Sequence, residues 1–208
     1  MTQGERQFDL TLPEAAAAIG ASPKRLRNLL DADEGIGLDE IQHPTIPGSA
    51  VMISPHALMR LTVACALADR GLTLRASLAA AASFAFIGEG VGYWEGEPRP
   101  AIPRWPSMCF PDGQTWLLVA EDETLIANIG GNIGRNCFKS IDAALKRLRF
   151  NLLQNENQRN DSRTEWERIS RLPIVALELT GIDEWLDVQI RKILEERRPR
   201  NTRLRNPE

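Results

Sequence analysis

Three basic residues, Lys24, Arg25 and Arg27, are grouped near the start of the chain. Lys and Arg side chains neutralise phosphate groups, which supplies most of the non-specific affinity of proteins for nucleic acids. Basic residues at the N-terminal end of a helix that enters the major groove also reach base edges. The grouping therefore indicates recognition of phosphates or bases rather than bond-breaking chemistry.

The flanking residues predict two short helices that position this basic group. Thr11 and Glu14 have capping-box spacing at the start of the first helix, and Gly20 can end it. Ser22 offers an N-cap for the second helix, and Pro23 fits its first position. Two helices around a tight turn, with basic residues at the start of the second, form the helix-turn-helix arrangement that inserts a recognition helix into the DNA major groove.

The composition is that of an ordinary folded protein. The chain has 208 residues, 43% apolar and 25% charged, which suits one large or two small domains. It contains no apolar run of the roughly 18 residues that cross a bilayer, and its first residues lack the apolar stretch of a signal peptide, which predicts a cytoplasmic protein without membrane contact. The formal net charge of −3 gives no general attraction for nucleic acids, so such binding must come from local patches.

Residue types that carry metal or nucleophilic chemistry are sparse. Three widely spaced cysteines, Cys65, Cys109 and Cys137, predict reduced, partly buried thiols rather than a disulfide framework or a metal site. The two histidines, His43 and His56, allow no Ser/His/Asp or Cys/His constellation to be proposed. We therefore expect no cofactor, no metal and no enzymatic activity. An enzyme with its site in the C-terminal part is a weaker option that a deep pocket with convergent polar groups would support.

Beyond the helical pair, capping residues, glycines and β-type runs predict further elements. The N-terminal set is a hairpin with strands at 40–42 and 50–53, a helix from the Ser54 cap to Asp69, and a helix over 74–86 after the Thr73 cap. The C-terminal set is strands at 115–119, 124–129 and 174–179, a helix after the Ser140 cap, an exposed loop at 154–164 and a final helix over 181–196.

These elements predict an α+β fold in two parts. The N-terminal part is a winged helix-turn-helix, and the C-terminal part is a small α/β-type domain of about three strands and two or three helices, which serves dimerisation or sensing. The predicted boundaries are 1–87 for the first domain, 88–114 for a Pro/Gly-rich linker, 115–196 for the second domain and 197–208 for a basic flexible tail.

Residues 10–83 resemble the MerR-type winged helix-turn-helix domain. The resemblance depends on three pieces: LTLPEAAAAIGASPKRLRNLL for the helical pair, GSAVMISPHALMRL for the wing strand and third helix, and LADRGLTLRASLAAA for the junction between the third and fourth helices. The GLTL step is the most specific, because it combines a helix stop, a short spacer and a new Thr cap. The C-terminal part resembles no family that we identify.

The resemblance implies double-stranded DNA as the partner and transcriptional control as the role. It implies that Lys24 and Arg25 lie near base edges or phosphates and that Arg27 lies at a phosphate. The candidate DNA-binding residues are thus Ser22, Lys24, Arg25, Arg27 and Asn28. The family usually forms dimers through a long helix after its fourth helix, whereas this chain continues from Gly88 into the Pro-rich segment, so a homodimer would use the C-terminal domain.

The predicted wing has an unusual charge. The segment from Asn28 to Met59 has no Lys or Arg but has five acidic residues, which a phosphate backbone would repel. Family members also typically carry tyrosines at the positions of Asn28 and Leu29. These features favour an alternative function, a protein-interaction module that keeps the winged-helix fold, docks a basic partner at its acidic wing and binds no DNA.

Three other segments have a functional and a structural interpretation. The loop from Gly130 to Gly134 lies where a phosphate-binding loop would lie, but its spacing favours a wide turn. The aromatic residues Tyr93, Trp94 and Trp105 either line an effector pocket or pack the linker onto the domains, and packing is the commoner outcome. The Arg-rich tail is either an arm that strengthens nucleic-acid binding or a solubilising terminus.

Overall fold

The structure is a computed structural model that describes residues 10–32, 41–42, 50–88, 93–94, 97–98, 104–121, 123–132, 136–156 and 162–197. Within these ranges the chain is a mixture of helices and strands, in agreement with an α+β class. No helix in the described ranges combines the length and the apolar character needed to cross a membrane.

The order of elements alternates helices with short strands in the first half and places the longer strands in the second half. The helices are α1 Leu12–Ile19, α2 Pro23–Asp31, α3 Pro55–Ala68, α4 Leu74–Phe86, α5 Ile141–Glu156, α6 Ser162–Arg171 and α7 Leu179–Arg197. The strands are β1 Leu10–Thr11, β2 Ile41–Gln42, β3 Met52–Ile53, β4 Tyr93–Trp94, β5 Glu97–Pro98, β6 Gln114–Ala120, β7 Glu123–Ile129, β8 Cys137–Phe138 and β9 Val175–Glu178.

The predicted helix starts are confirmed by side-chain caps. The hydroxyl of Ser22 accepts a hydrogen bond from the backbone of Arg25 at 3.2 Å, and Ser54 and Thr73 cap α3 and α4 in the same way. The turn between α1 and α2 depends on Gly20, whose φ of +71° lies in the left-handed region that glycine adopts without strain. Local sequence therefore determines where these helices begin.

The predicted N-terminal hairpin is confirmed and gains a third strand. Strands β2 and β3 pair antiparallel, with Ile41 opposite Ile53, and β1 pairs with the other edge of β3, with Leu10 opposite Ile53. The residues that connect β2 to β3 lie outside the described ranges. This small sheet brings the start of α1 beside the strand that leads into α3.

Strands β4 and β5 pair with each other, and a four-stranded sheet has the order β8-β7-β6-β9 and contains the three strands predicted for the C-terminal part. Its neighbours pair antiparallel except β7 and β8, which are parallel. Alternating side chains point to opposite faces of a sheet. Leu117 and Leu177 pack in one core with α1–α4 and α7, whereas Leu118 and Leu125 pack in a second core with α5 and α6. The sheet thus separates two helical layers.

The loop predicted over 154–164 is shorter than expected. Helix α5 continues to Glu156, and α6 already begins at Ser162. The polar composition of this segment suggests a loop, but a surface helix needs only one apolar face. In α6 that face includes Ile169, which is fully buried in the second core.

The described end of the predicted linker packs against the C-terminus of α4. Arg104 is 1% exposed, and its guanidinium donates to the carbonyl oxygens of Phe84, at 3.1 Å, and of Ile87. The guanidinium carbon also lies 5.0 Å from the centre of the Phe84 ring. Arg104 therefore satisfies backbone acceptors that the end of a helix leaves free.

Helix α7 packs against α1 and so connects the C-terminal part of the chain to the N-terminal helices. Leu186 and Ile190 lie in the same core as the N-terminal helices, and the ring of Trp185 lies beside Gly20. At the other end of α7, Arg197 forms an ion pair with Glu14, with Nε 2.7 Å from Oε1. Helix α1 is therefore held at both ends by α7.

The pair formed by Glu14 and Arg197 predicts acid sensitivity. The Arg197 guanidinium, followed by hydrogen bonds from Thr11, lowers the pKa of Glu14 from 4.5 to about 2. Because the folded-state pKa is lowered, the stabilisation is complete above about pH 5 and is lost as the pH falls towards 2. We expect Glu14→Gln to reduce the unfolding free energy by about 1 kcal/mol at pH 7, a value that allows for solvent screening.

Urea unfolding at several pH values measures this difference. The gap between wild type and Glu14→Gln should close as the pH falls from 5 to about 2. Glu195→Gln, at an exposed position on α7, is the matched control and should show no such trend. A gap of constant size across the same pH range would contradict the ion pair as its cause.

Candidate nucleic-acid interface

The five predicted site residues all lie on or beside α2, but they play different parts. Leu26 and Leu29 anchor the helix and are 0% and 1% exposed. The opposite side of the helix is exposed and carries Lys24, Arg27 and Asn28. These three residues are spaced i, i+3 and i+4, so they share one helical face. The structure therefore presents two cations and an amide together to solvent.

Ser22 acts through the backbone at the start of this face. Its hydroxyl accepts the Arg25 N–H and so satisfies one of the donors that a helix start leaves free. The remaining N–H groups and the helix dipole favour an anion at this end, next to Lys24. Ser22 is thus a positioning residue for the exposed basic face.

Arg25 turns away from that face towards the end of α3. Its guanidinium lies 2.6 Å from the Asp69 carboxylate and donates to the carbonyl oxygen of Cys65 at 3.2 Å. The hydrogen bond with Asp69 raises the pKa of Arg25 above its ordinary value. The contact ties the first turn of α2 to the last turn of α3, so Arg25 orients the helix that carries Lys24 and Arg27.

Another cation, Arg70, lies near the contact between α2 and α3, and the sequence did not indicate it as a candidate site residue. Arg70 follows Asp69 directly, is exposed, and donates to the carbonyl oxygen of Ala66 at 2.9 Å. The position of Arg70 in the Asp-Arg-Gly sequence at the end of α3 did not suggest a binding role, because a basic residue near a helix C-terminus commonly interacts with the last carbonyl groups. The structure places Arg70 beside the residue that holds Arg25.

Only part of the predicted acidic wing lies within the described structure. Asp31 is described and exposed at the end of α2. It follows Lys24 by seven residues, so it shares the helical face of the basic group. The other four acidic residues, Asp33, Glu34, Asp39 and Glu40, lie outside the described ranges, as does the tail beyond Arg197.

The three cysteines are free thiols, and each lies in a different element or loop. Burial raises the pKa of Cys65, and burial together with the nearby Asp183 raises the pKa of Cys109 to about 12. Thiols in such surroundings stay protonated at neutral pH and are poor nucleophiles. No group of three or more His, Cys, Asp or Glu side chains suited to a metal ion occurs among the described residues.

The fold brings together a His–Ser pair that the sequence analysis did not connect. His56 Nδ1 lies 2.8 Å from the hydroxyl of Ser107, which donates to the carbonyl oxygen of Ala85 at 3.0 Å. Since the Ser107 proton is used in that bond, His56 acts as the donor to Ser107. Ser107 is buried, with 7% of the residue exposed, and its hydroxyl is not activated as a nucleophile. The pair instead fastens the segment after Arg104 to α3 and α4.

A groove of about 400 Å³ lies between α4 and the hairpin of β6 and β7. Alanines of α4 form much of its wall, with Arg75 and Glu121 among the polar lining residues. Glu121 pairs with Arg168 at 2.7 Å. Neither Trp105 nor Phe110 lines this groove: Trp105 is 60% exposed and Phe110 is buried. The side chains of Tyr93 and Trp94, the other two candidates for an effector pocket, lie outside the described structure.

The glycine-rich loop after β7 is held by Asp112. Its carboxylate accepts the Asn132 backbone N–H at 2.7 Å and the Asn128 side-chain amide at 3.0 Å. Residues 133–135 of this loop lie outside the described ranges. A carboxylate at the loop would repel a phosphate, which agrees with the preference for a turn.

A scan against protein-family models, a search of curated proteins and a search of solved structures each found no match for this chain.

If α2 binds duplex DNA, the anchoring role of Arg25 predicts a particular effect of removing its side chain. Because its guanidinium is engaged by Asp69, we expect Arg25→Ala to lower affinity for duplex DNA about threefold through a less well placed α2, and to leave the salt dependence unchanged. A lost phosphate contact would instead reduce the slope of log K against log salt by about 0.9. Titration of labelled duplex at several salt concentrations separates the two outcomes.

Proposed function

We propose that residues 10–83 form a winged helix-turn-helix domain of the MerR type and that the protein binds double-stranded DNA as a transcriptional regulator. The observation that carries this proposal is the exposed face of α2 with Lys24, Arg27 and Asn28. That face begins at a capped helix N-terminus and belongs to a helix that Arg25 fastens to α3. A recognition helix needs both an exposed polar face and a rigid support.

The element order supports the same assignment. The helical pair is flanked by the strands of one small antiparallel sheet, since β1 precedes α1 while β2 and β3 follow α2. A sheet in this position can act as the wing beside a recognition helix. In the proposed complex, Lys24 lies near base edges or phosphates at the helix N-terminus, and Arg27 contacts the backbone.

Titration of labelled genomic duplex fragments with the full chain tests the proposal. Affinity should fall steeply as salt rises from about 50 to 200 mM, because phosphate contacts release counterions. Selection of bound fragments by sequencing should then enrich a common motif. Absence of any salt-dependent affinity would overturn the proposal.

One observation favours the alternative, a winged-helix module that binds a protein. Asp69 and Asp31, both exposed, lie at the two ends of α2, and Asp69 already neutralises Arg25. A basic protein would bind this partly acidic surface more favourably than DNA would, because its charge is complementary. Capture of a basic protein by the full chain, lost on Asp31→Asn but insensitive to Lys24→Ala, would favour this function.

A further inference from the structure

Helix α5 has one side buried against the sheet and one side exposed to solvent. Helix α5 buries Ala144 and Leu148 against the sheet. Its opposite side exposes Lys146, Arg147 and Phe150, and Phe150 is 47% exposed. We call these three residues the α5 outer surface.

The aromatic ring and the cations of this surface are neighbours. Phe150 follows Arg147 by three residues and Lys146 by four, which places all three on one helical face. The guanidinium carbon of Arg147 lies 5.5 Å from the centre of the Phe150 ring, within cation–π range. One flat side chain and two cations are therefore available together, in an arrangement suited to a flat, negatively charged partner.

The charge around this surface differs from that of the whole chain. Residues 139–149 contain four basic residues and one acidic residue, Asp142, although the chain has a net charge of −3. Lys139, just before the helix, is also exposed. A local positive surface in an acidic protein attracts polyanions without making the whole protein bind them.

We infer that the α5 outer surface binds single-stranded nucleic acid, with phosphates at Lys146 and Arg147 and a base stacked on Phe150. Proteins bind single strands without strong sequence preference by combining cations along the phosphate backbone of the nucleic acid with exposed aromatic rings that stack on its bases. The surface lies on the opposite side of the four-stranded sheet β8-β7-β6-β9 from α2, because α5 belongs to the second core and α2 to the first. It is therefore independent of the proposed duplex site.

The test is a fluorescence titration of labelled oligothymidylate, about 20 nucleotides long, at about 50 mM salt. We expect Lys146→Ala/Arg147→Ala to weaken binding at least tenfold and Phe150→Ala about tenfold, whereas Phe150→Trp should keep wild-type affinity because it keeps a stacking ring. Circular dichroism and melting temperature verify that the variants fold.

Two controls make the result specific. Arg191→Ala/Lys192→Ala removes the same charge from exposed positions on α7 and should leave binding of oligothymidylate unchanged. In the Lys24→Ala/Arg27→Ala background, Phe150→Ala should still weaken binding of oligothymidylate about tenfold, so failure of the duplex proposal and failure of this one are distinguishable. No binding by wild type, a Phe150→Ala variant that binds normally, or equally strong binding of polyglutamate would each overturn the inference, the last by favouring an acidic protein partner.

Discussion

Replacing Lys24 and Arg27 together with alanine should lower the affinity for duplex DNA by about 10- to 100-fold, equivalent to roughly 1–3 kcal/mol. Both side chains are exposed on one face of α2, so their removal leaves the packing of Leu26 and Leu29 unchanged. The expected loss is electrostatic. It should therefore appear as a decrease of about 1.8 in the magnitude of the slope of log K against log salt, at about 0.9 for each phosphate contact.

The two single variants should differ in how their loss of affinity depends on the DNA sequence. Arg27→Ala should weaken binding to all duplex sequences alike, whereas Lys24→Ala should also reduce discrimination between selected and random sequences. The matched control is Arg191→Ala/Lys192→Ala on α7, which makes the same change in net charge at exposed positions. If that control weakens binding as much as the α2 variant does, then net charge and not the α2 face is responsible.

Replacing Arg104 with alanine should give the largest loss of stability, about 3 kcal/mol. Arg104 is 1% exposed, and its guanidinium donates to the carbonyl oxygens of Phe84 and Ile87 at the end of α4, as well as to that of Met108 at 3.4 Å. Alanine would remove these donors and the contact with the Phe84 ring. It would also leave a cavity and unpaired carbonyl oxygens in a buried place, each of which destabilises the folded state.

Urea denaturation measures this effect as a fall in the midpoint of roughly 1–2 M. Arg104→Lys should recover only part of the loss, because a single ammonium group cannot reach several carbonyls with the planar fork of a guanidinium. Arg70→Ala is the control, since Arg70 also donates to a helix carbonyl but is exposed. A change in Arg104→Ala no larger than that in Arg70→Ala would show that the buried contacts contribute little.

Much of the local architecture could be predicted from the sequence because caps and turns depend on neighbours along the chain. Ser22, Ser54 and Thr73 each bond to a backbone N–H three residues later, so their positions in the sequence were sufficient to predict the helix starts. The predicted range of α4, 74–86, agrees with the observed helix. Helix α6 was missed because its polar residues dominate its composition and a single buried face is enough to hold it.

The roles within the candidate site could not be predicted in the same way. Lys24, Arg25 and Arg27 are equivalent in sequence, yet among the described residues only Arg25 is seen to pair with a carboxylate, one that lies 44 positions away. Glu14 was expected to act in a local cap, but it also pairs with Arg197, 183 positions away. Such contacts depend on how helices pack, and the burial that brings them together is a property of the whole fold.

Helices α1 and α2 with the turn between them, the short hairpin and the three main strands of the C-terminal part were predictable from the sequence, because caps, turns and residue periodicity act over a few neighbouring positions. Which cations are exposed and which act as anchors depends on packing between distant elements, and so does the placement of α2 and α5 on opposite sides of the four-stranded sheet. These features result from the apolar faces of distant elements, which exclude water only when packed together and thereby determine which polar side chains remain outside.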